Sequence, residues 1–89
     1  MNLKVKEVLG KILSTHPRDY GISVKNLNTL FDTGWGYTNG ATGQPANVSN
    51  GTVLVFKMAS VTTQIYIPYS QAQIYARTYI GSWQSWKQL

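Results

Sequence analysis

The chain has no cysteine, one histidine and three acidic residues. Without cysteine there is neither a disulfide framework nor a thiolate metal site, so packing must hold the fold and the redox compartment stays open. His16 and the acids Glu7, Asp19 and Asp32 leave almost no candidates for a general base, its orienting partner or a ligand set. Only Asp19 with Asp32 could act as a glycosidase pair, and neither sits in a motif. His16, beside Pro17, reads as a solvated linker residue. The expectation is a non-enzymatic protein with no cofactor and no metal. No apolar run approaches the ~20 residues of a membrane span, so no membrane insertion is expected. The N-terminus lacks the apolar core and cleavage site of a signal peptide. Exit from the producing cell would then be by lysis or another route.

Charge is also scarce. Charged residues are 12% of the chain against 43% hydrophobic, about half the usual charged fraction of roughly 25%. The chain is too apolar to be disordered, and its polar surface falls to Ser, Thr, Asn, Gln and Gly, which suits extracellular and virion proteins. A net charge of +5 permits nucleic acid, anionic glycan or anionic lipid as partner. Lys4, Lys6 and Lys11 cluster, while Arg18, Lys25, Lys57, Arg77 and Lys87 are dispersed, which argues against an electrostatic footprint. At 89 residues the chain makes one domain that leaves much surface in water, so oligomerisation is expected.

Val5, Val8, Leu9, Ile12 and Leu13 recur at helical steps opposite Lys4, Lys6, Glu7 and Lys11, predicting a short amphipathic helix ended near Thr15-His16-Pro17. It is read either as docked on its own β-domain or as the end of a parallel trimeric stalk, with a basic membrane anchor as a distant third. After Tyr20 the texture is β-branched and aromatic, punctuated by turn residues. Val24 to Thr33 reads as strand or irregular. Five glycines between Gly34 and Gly51 predict a long turn-rich loop, with Asn39-Gly40 and Asn50-Gly51 as tight turns. The Gly34-x-Gly36 pair lacks the strand-to-helix context of a phosphate loop and is read as turn geometry.

Residues 52–58 read as a central strand covered on both faces, with Val53, Val55 and Lys57 opposite Leu54, Phe56 and Met58. Residues 61–67 form its hairpin partner, Val61, Thr63, Ile65 and Ile67 making the apolar face. In residues 73–80, Ile74, Ala76, Thr78 and Ile80 are expected inward and Gln73, Tyr75, Arg77 and Tyr79 outward. A Gly81-Ser82 turn returns the chain through residues 83–89. The expected fold is mainly β: a short N-terminal helix, then a small antiparallel meander or sandwich of four to five strands. Residues 1–19 form the helix and linker, and residues 20–89 the β-rich domain.

The C-terminal two thirds, from about Asn28 to Leu89, carry a fairly specific pattern. It comprises Gly34-Trp35-Gly36-Tyr37, Ala41-Thr42-Gly43-Gln44-Pro45, Gly51-Thr52-Val53-Leu54-Val55 and Thr63-Gln64-Ile65-Tyr66. It closes with Ile74-Tyr75-Ala76-Arg77-Thr78-Tyr79 and Ser82-Trp83-Gln84-Ser85-Trp86-Lys87. In order, spacing and terminal position this resembles the tail-fibre tips of bacteriophages and R-type pyocins, the pyocin knob domains. The first 27 residues do not resemble the repetitive shaft that precedes such a domain. The resemblance implies a homotrimeric, non-enzymatic module at the distal end of a virion tail fibre, made in the bacterial cytoplasm from a phage or prophage gene. Its partner would be a bacterial surface polysaccharide, teichoic acid or protein receptor. A structural trimerisation cap is the first alternative.

Aromatic residues are the richest resource. Trp35, Trp83 and Trp86 are read as structural anchors, in the core or at a subunit interface. Tyr75, Arg77 and Tyr79 share a strand face, so they form either a ligand platform or a stack of Arg77 on tyrosines across a trimer contact. The platform reading also motivates a single-stranded nucleic-acid binder as a third hypothesis. Tyr37, Asn39 and Tyr69, in or beside expected loops, are the exposed binding candidates. The sequons at Asn47 and Asn50 read as coincidental in a bacterial or phage product.

Overall fold

A computed structural model describes residues 17–89. The expected helix and His16 lie outside the described residues. Seven strands form one mixed sheet: β1 (Arg18–Asp19), β2 (Val24–Asn26), β3 (Gly34–Thr42), β4 (Gly51–Met58), β5 (Val61–Pro68), β6 (Tyr75–Tyr79) and β7 (Lys87–Gln88). The order is β1-β3-β4-β5-β6-β7, with β2 also pairing β3. The protein is mainly β, as expected, but the expected four to five antiparallel strands were too few and too uniform. The sheet also begins at Arg18, within the segment read as helix and linker.

The difference arises at one edge. β1 and β2 both run parallel to β3, Arg18 opposite Gly34 and Val24 opposite Thr38. Between them Tyr20 N–H donates to Trp35 O at 2.8 Å and Tyr37 N–H to Gly21 O at 2.9 Å, so residues 18–26 act as one interrupted edge strand. A parallel pair needs a crossover. Here residues 27–33 supply it, with a single 3-10 turn, Leu27–Thr29, opened by the Asn26 side chain accepting from Asn28 N–H.

Glycine misled the reading of residues 34–42, which form β3 rather than a loop. A Cβ on Gly36 would lie 2.8 Å from Val24 Cγ2 and 2.9 Å from Tyr20 Cβ. The Gly-x-Gly pair therefore admits close passage of the edge segment, a known use of strand glycine. Gly40, at φ 62°, sits where the β2 register shifts, so Asn39-Gly40 marks a bulge. Gly51 opens β4 instead of turning. The expected β4–β5 hairpin is present, closed by Ala59-Ser60 between the paired Met58 and Val61.

The crossover settles which face is the core. Leu27 and Leu30 are buried beneath it, packed with Val24, Val53, Val55 and Tyr66. An irregular cover of this kind brings carbonyls that no ladder satisfies, and buried carbonyls must find donors. The sheet provides them. Gln64 Nε2 donates to Leu27 O at 2.7 Å and Leu30 O at 3.0 Å, Thr62 Oγ1 to Phe31 O at 3.1 Å, and Tyr66 OH to Ser49 O at 2.7 Å. Accordingly β5 buries Thr62, Gln64 and Tyr66 and turns Val61, Thr63, Ile65 and Ile67 outward. β6 likewise buries Arg77, and the flanking Ile74 and Ile80 are exposed. The inward and outward assignments expected for residues 73–80 are thus reversed. Nor is β4 covered on both faces, since Phe56 and Met58 are exposed.

Candidate functional site

Arg77 is the centre of the inner face. It is 7% exposed, with its guanidinium carbon 4.1 Å from the centroid of the Trp83 ring and 4.5 Å from that of Trp86. Nε donates to Gln64 Oε1 and one terminal nitrogen to Asn28 Oδ1, both at 2.9 Å. Among the described residues no carboxylate pairs with it. Two ring faces and two amide oxygens hold the charge instead, an arrangement suited to a planar guanidinium. Burial lowers its pKa to about 10, so it remains a cation at neutral pH.

The stack continues on both sides. Phe31 lies 5.5 Å from Trp83 at an interplanar angle of 18°, Tyr79 meets both edge-on, and Trp86 meets Tyr66 edge-on at 6.0 Å. Each indole N–H is used: Trp83 Nε1 donates to Asn28 O at 3.0 Å and Trp86 Nε1 to Gly43 O at 2.7 Å. Trp83 and Trp86 are therefore engaged within one copy of the chain. Trp35 is different, standing 47% exposed on the outer face. The platform expected from Tyr75, Arg77 and Tyr79 is not an open surface. Arg77 stacks on tryptophans of its own chain rather than on tyrosines across a contact, and Tyr75 is half-buried, its hydroxyl donating to Gln73 Oε1 at 2.6 Å. Sequence reasoning missed Asn28 and Gln64, the partners of Arg77. The available signal was a glutamine between apolar residues in a strand facing an arginine.

Beside this stack a cleft of about 480 Å³ opens between β6 and the C-terminal segment, lined by Arg77, Thr78, Gln84, Ser85 and Lys87 among others. With the Arg77 guanidinium engaged in the stack, Lys87 is the free cation of this cleft among the described residues, and beside Gln84 and Ser85 it suits a polyhydroxylated group with little negative charge. Among the described residues no three His, Cys, Asp or Glu side chains come together. Asp32 is engaged by Arg18 at 3.3 Å and Lys57 at 3.9 Å, while Asp19 accepts from Gly21 N–H at 2.9 Å.

The remaining candidates gather at one end of the sheet. Tyr37 opposes Thr52, which opposes Ile67, and Tyr69 follows β5 directly. Asn50 ties this end together: its Oδ1 accepts from Gly40 N–H at 2.8 Å and its carbonyl from Tyr69 N–H at 3.0 Å. Tyr69 and Asn39 are exposed and Tyr37 half-buried. Ser70 Oγ donates to Ser49 Oγ at 2.9 Å beside them. The chain enters the sheet at the row of Gly34, Val55 and Gln64, midway along β5 and five residues short of Tyr69.

Compared with family models, curated proteins and solved structures, the chain matches none.

Proposed function

We propose that the protein is a non-enzymatic attachment module, the homotrimeric tip of a phage tail fibre, and that it binds a bacterial surface glycan through the end of the sheet bearing Tyr37, Asn39 and Tyr69. One observation carries this reading: the separation of entry from recognition surface. The chain arrives beside Gly34, in the row of Val55 and Gln64, and Asn39 and Tyr69 lie five residues further along β3 and past the end of β5, about 17 Å away along the strands. A module entered partway along its sheet and dressed at one end with an exposed aromatic ring, amides and hydroxyls suits the terminus of a fibre. A tyrosine ring stacks on the apolar face of a sugar while amides and hydroxyls meet its hydroxyl groups. The closing aromatic pattern that resembles pyocin knob domains supports the same reading, and the module would then reside at the distal end of the virion fibre.

The test is retention of the labelled protein on whole cells from a panel of bacteria, with purified lipopolysaccharide and teichoic acid as competitors. Binding to some cells, reduced at least tenfold by Tyr69→Ala with Asn39→Ala at unchanged thermal stability, is expected. A stable trimer that binds no cells and neither polymer would favour the trimerisation cap. The single-stranded nucleic-acid reading has lost its motive, because Arg77 is enclosed between two indoles.

A further inference from the structure

The outer face of the sheet is more apolar than the face that forms the core. Trp35, Phe56, Met58, Ile67, Ile74 and Ile80 are all exposed large hydrophobic residues, Met58 at 75% and Ile80 at 60%. A soluble domain that turns glutamine and arginine inward and isoleucine outward has an incomplete burial pattern. One row crosses the whole face: Asp19 on β1, Trp35 on β3, Leu54 on β4, Ile65 on β5, Ala76 on β6 and Lys87 on β7, each the register partner of the next. Register partners point to the same side of a sheet. The row is therefore apolar throughout its middle, acidic at one edge and basic at the other. Among the described residues neither Asp19 nor Lys87 has an ion-pair partner.

We propose that this face is covered by a second copy of the chain, the Asp19 edge of one copy lying against the Lys87 edge of the next. The inference deepens the fibre-tip reading and rests on its premise that the protein works as an oligomer. Size selects the occupant. Four central strands at ~4.8 Å spacing and about seven residues at ~3.4 Å present roughly 450 Å² in projection. The amphipathic segment at residues 3–13, taken as a helix about 16 Å long and 10 Å wide, would cover roughly a third of it. Copies around a three-fold axis, each turning a face of equal extent inward, would enclose all of it and bring neighbouring edges together at the corners. Charge selects the orientation. In any closed arrangement with its axis along the strands, the acidic edge of one copy adjoins the basic edge of its neighbour. An axis across the strands would set Asp19 against Asp19 and Lys87 against Lys87. Edge charges of this kind fix register more than they add affinity.

The cysteine-free chain makes the test direct. Asp19→Cys and Lys87→Cys, combined in one chain, are oxidised mildly and run on a non-reducing gel beside light scattering of the unoxidised protein. An intrachain disulfide is excluded, because five inter-strand spacings separate the positions by about 24 Å and a disulfide needs Cα atoms within ~7 Å. The expected result is a covalent species of the same mass as the native oligomer, formed by the double variant and by neither single variant. Phe56→Lys with Ile67→Lys should reduce the native mass to that of one chain while leaving the circular dichroism unchanged. An oligomer that neither cross-links nor dissociates would overturn this interface and leave the fibre-tip reading standing. A monomer at high micromolar concentration would remove both. Loss of cell binding by the intact cross-linked oligomer would remove attachment alone.

Discussion

Exchanging two neighbouring residues on β5 separates an ordinary amphipathic strand from the inverted one described above. Gln64 is fully buried, donates to two crossover carbonyls and accepts from Arg77. Gln64→Leu, similar in size and apolar, leaves the Leu30 carbonyl and one guanidinium N–H without partners and the Leu27 carbonyl with only the Leu30 N–H at 3.3 Å. An unsatisfied buried group costs about 1–3 kcal/mol and a charged one more. The three losses are coupled, so a total of about 3–5 kcal/mol is expected rather than their simple sum. A chain of this length has a total stability of roughly 4–13 kcal/mol, so the loss removes between about a quarter and all of it. Ile65→Gln places an amide on the outer face, where its polar atoms reach solvent in the separate copy. Its cost there should be about 1 kcal/mol or less, and its main effect should be weaker association. Urea unfolding at several protein concentrations reads both quantities, because association alone makes the midpoint concentration-dependent. With a slope of about 1 kcal/mol/M, Gln64→Leu should lower the low-concentration midpoint by about 3 M or abolish the folded baseline. The reverse ranking, Ile65→Gln costing more than Gln64→Leu at low concentration, would refute the assignment of the two faces.

Three further outcomes follow from single residues. Ala59 opens the β4–β5 turn at φ 55°, a region that costs a side-chain-bearing residue about 1–2 kcal/mol. Ala59→Gly should therefore raise stability by about 0.5–1 kcal/mol, read from thermal unfolding, despite the added freedom of the unfolded chain. Arg77→Lys keeps the charge but loses the planar stack between Trp83 and Trp86 and the fixed fork to Gln64 and Asn28. It should cost about 2 kcal/mol and shift tryptophan fluorescence to the red, whereas an unchanged spectrum would count against the sandwich. Burial raises the Tyr66 pKa above its ordinary value, against a smaller opposing effect of the Thr38 hydrogen bond. The folded state thus holds this proton more tightly than the unfolded state, and the contribution is complete below pH ~10 and lost as pH rises through the raised value. The stability difference between the wild type and Tyr66→Phe should accordingly narrow above pH ~10 in a pH series of urea titrations.

The strands were legible because alternation with period two survives whichever face is buried, so β4, β5 and β6 could be placed from the sequence. Which face was inward could not be judged from hydropathy. That inference assumes an apolar cover, whereas the cover here is a crossover and loops whose carbonyls require Gln64, Thr62 and Tyr66 as donors. Glycine caused the second difference. At Gly36 the lack of a Cβ serves close approach within a strand, and a sequence does not distinguish this from a turn. β1 and β2 were illegible for a related reason: they are short parallel segments fixed by partners far along the chain. Trp83 and Trp86 drew attention in the sequence because a small domain has few larger apolar surfaces to bury, and both rings pack on Arg77. Their joint partner, Arg77, was legible only as a residue on an aromatic strand face.

The open face and the end carrying Tyr69 are connected in what attachment requires. A site made of one exposed tyrosine with neighbouring amides and hydroxyls is shallow, and a single sugar held there gives up much of its contact energy to the cost of being immobilised. Repeating the same end around an axis along the strands changes the arithmetic. A surface polysaccharide offers many identical sugars, and a second engaged site binds at the effective concentration set by the first, so avidity can exceed a single affinity by about 10²–10⁴. In the proposed oligomer, the axis that brings Asp19 beside Lys87 would also turn every copy's Tyr69 end in one direction, away from the row where the chain enters at Arg18. Burial of the outer face and presentation of the proposed recognition end would then be consequences of one symmetry. The inverted sheet would make this possible, because polar side chains drawn inward to satisfy the crossover leave apolar residues on the outer face, where copies could join.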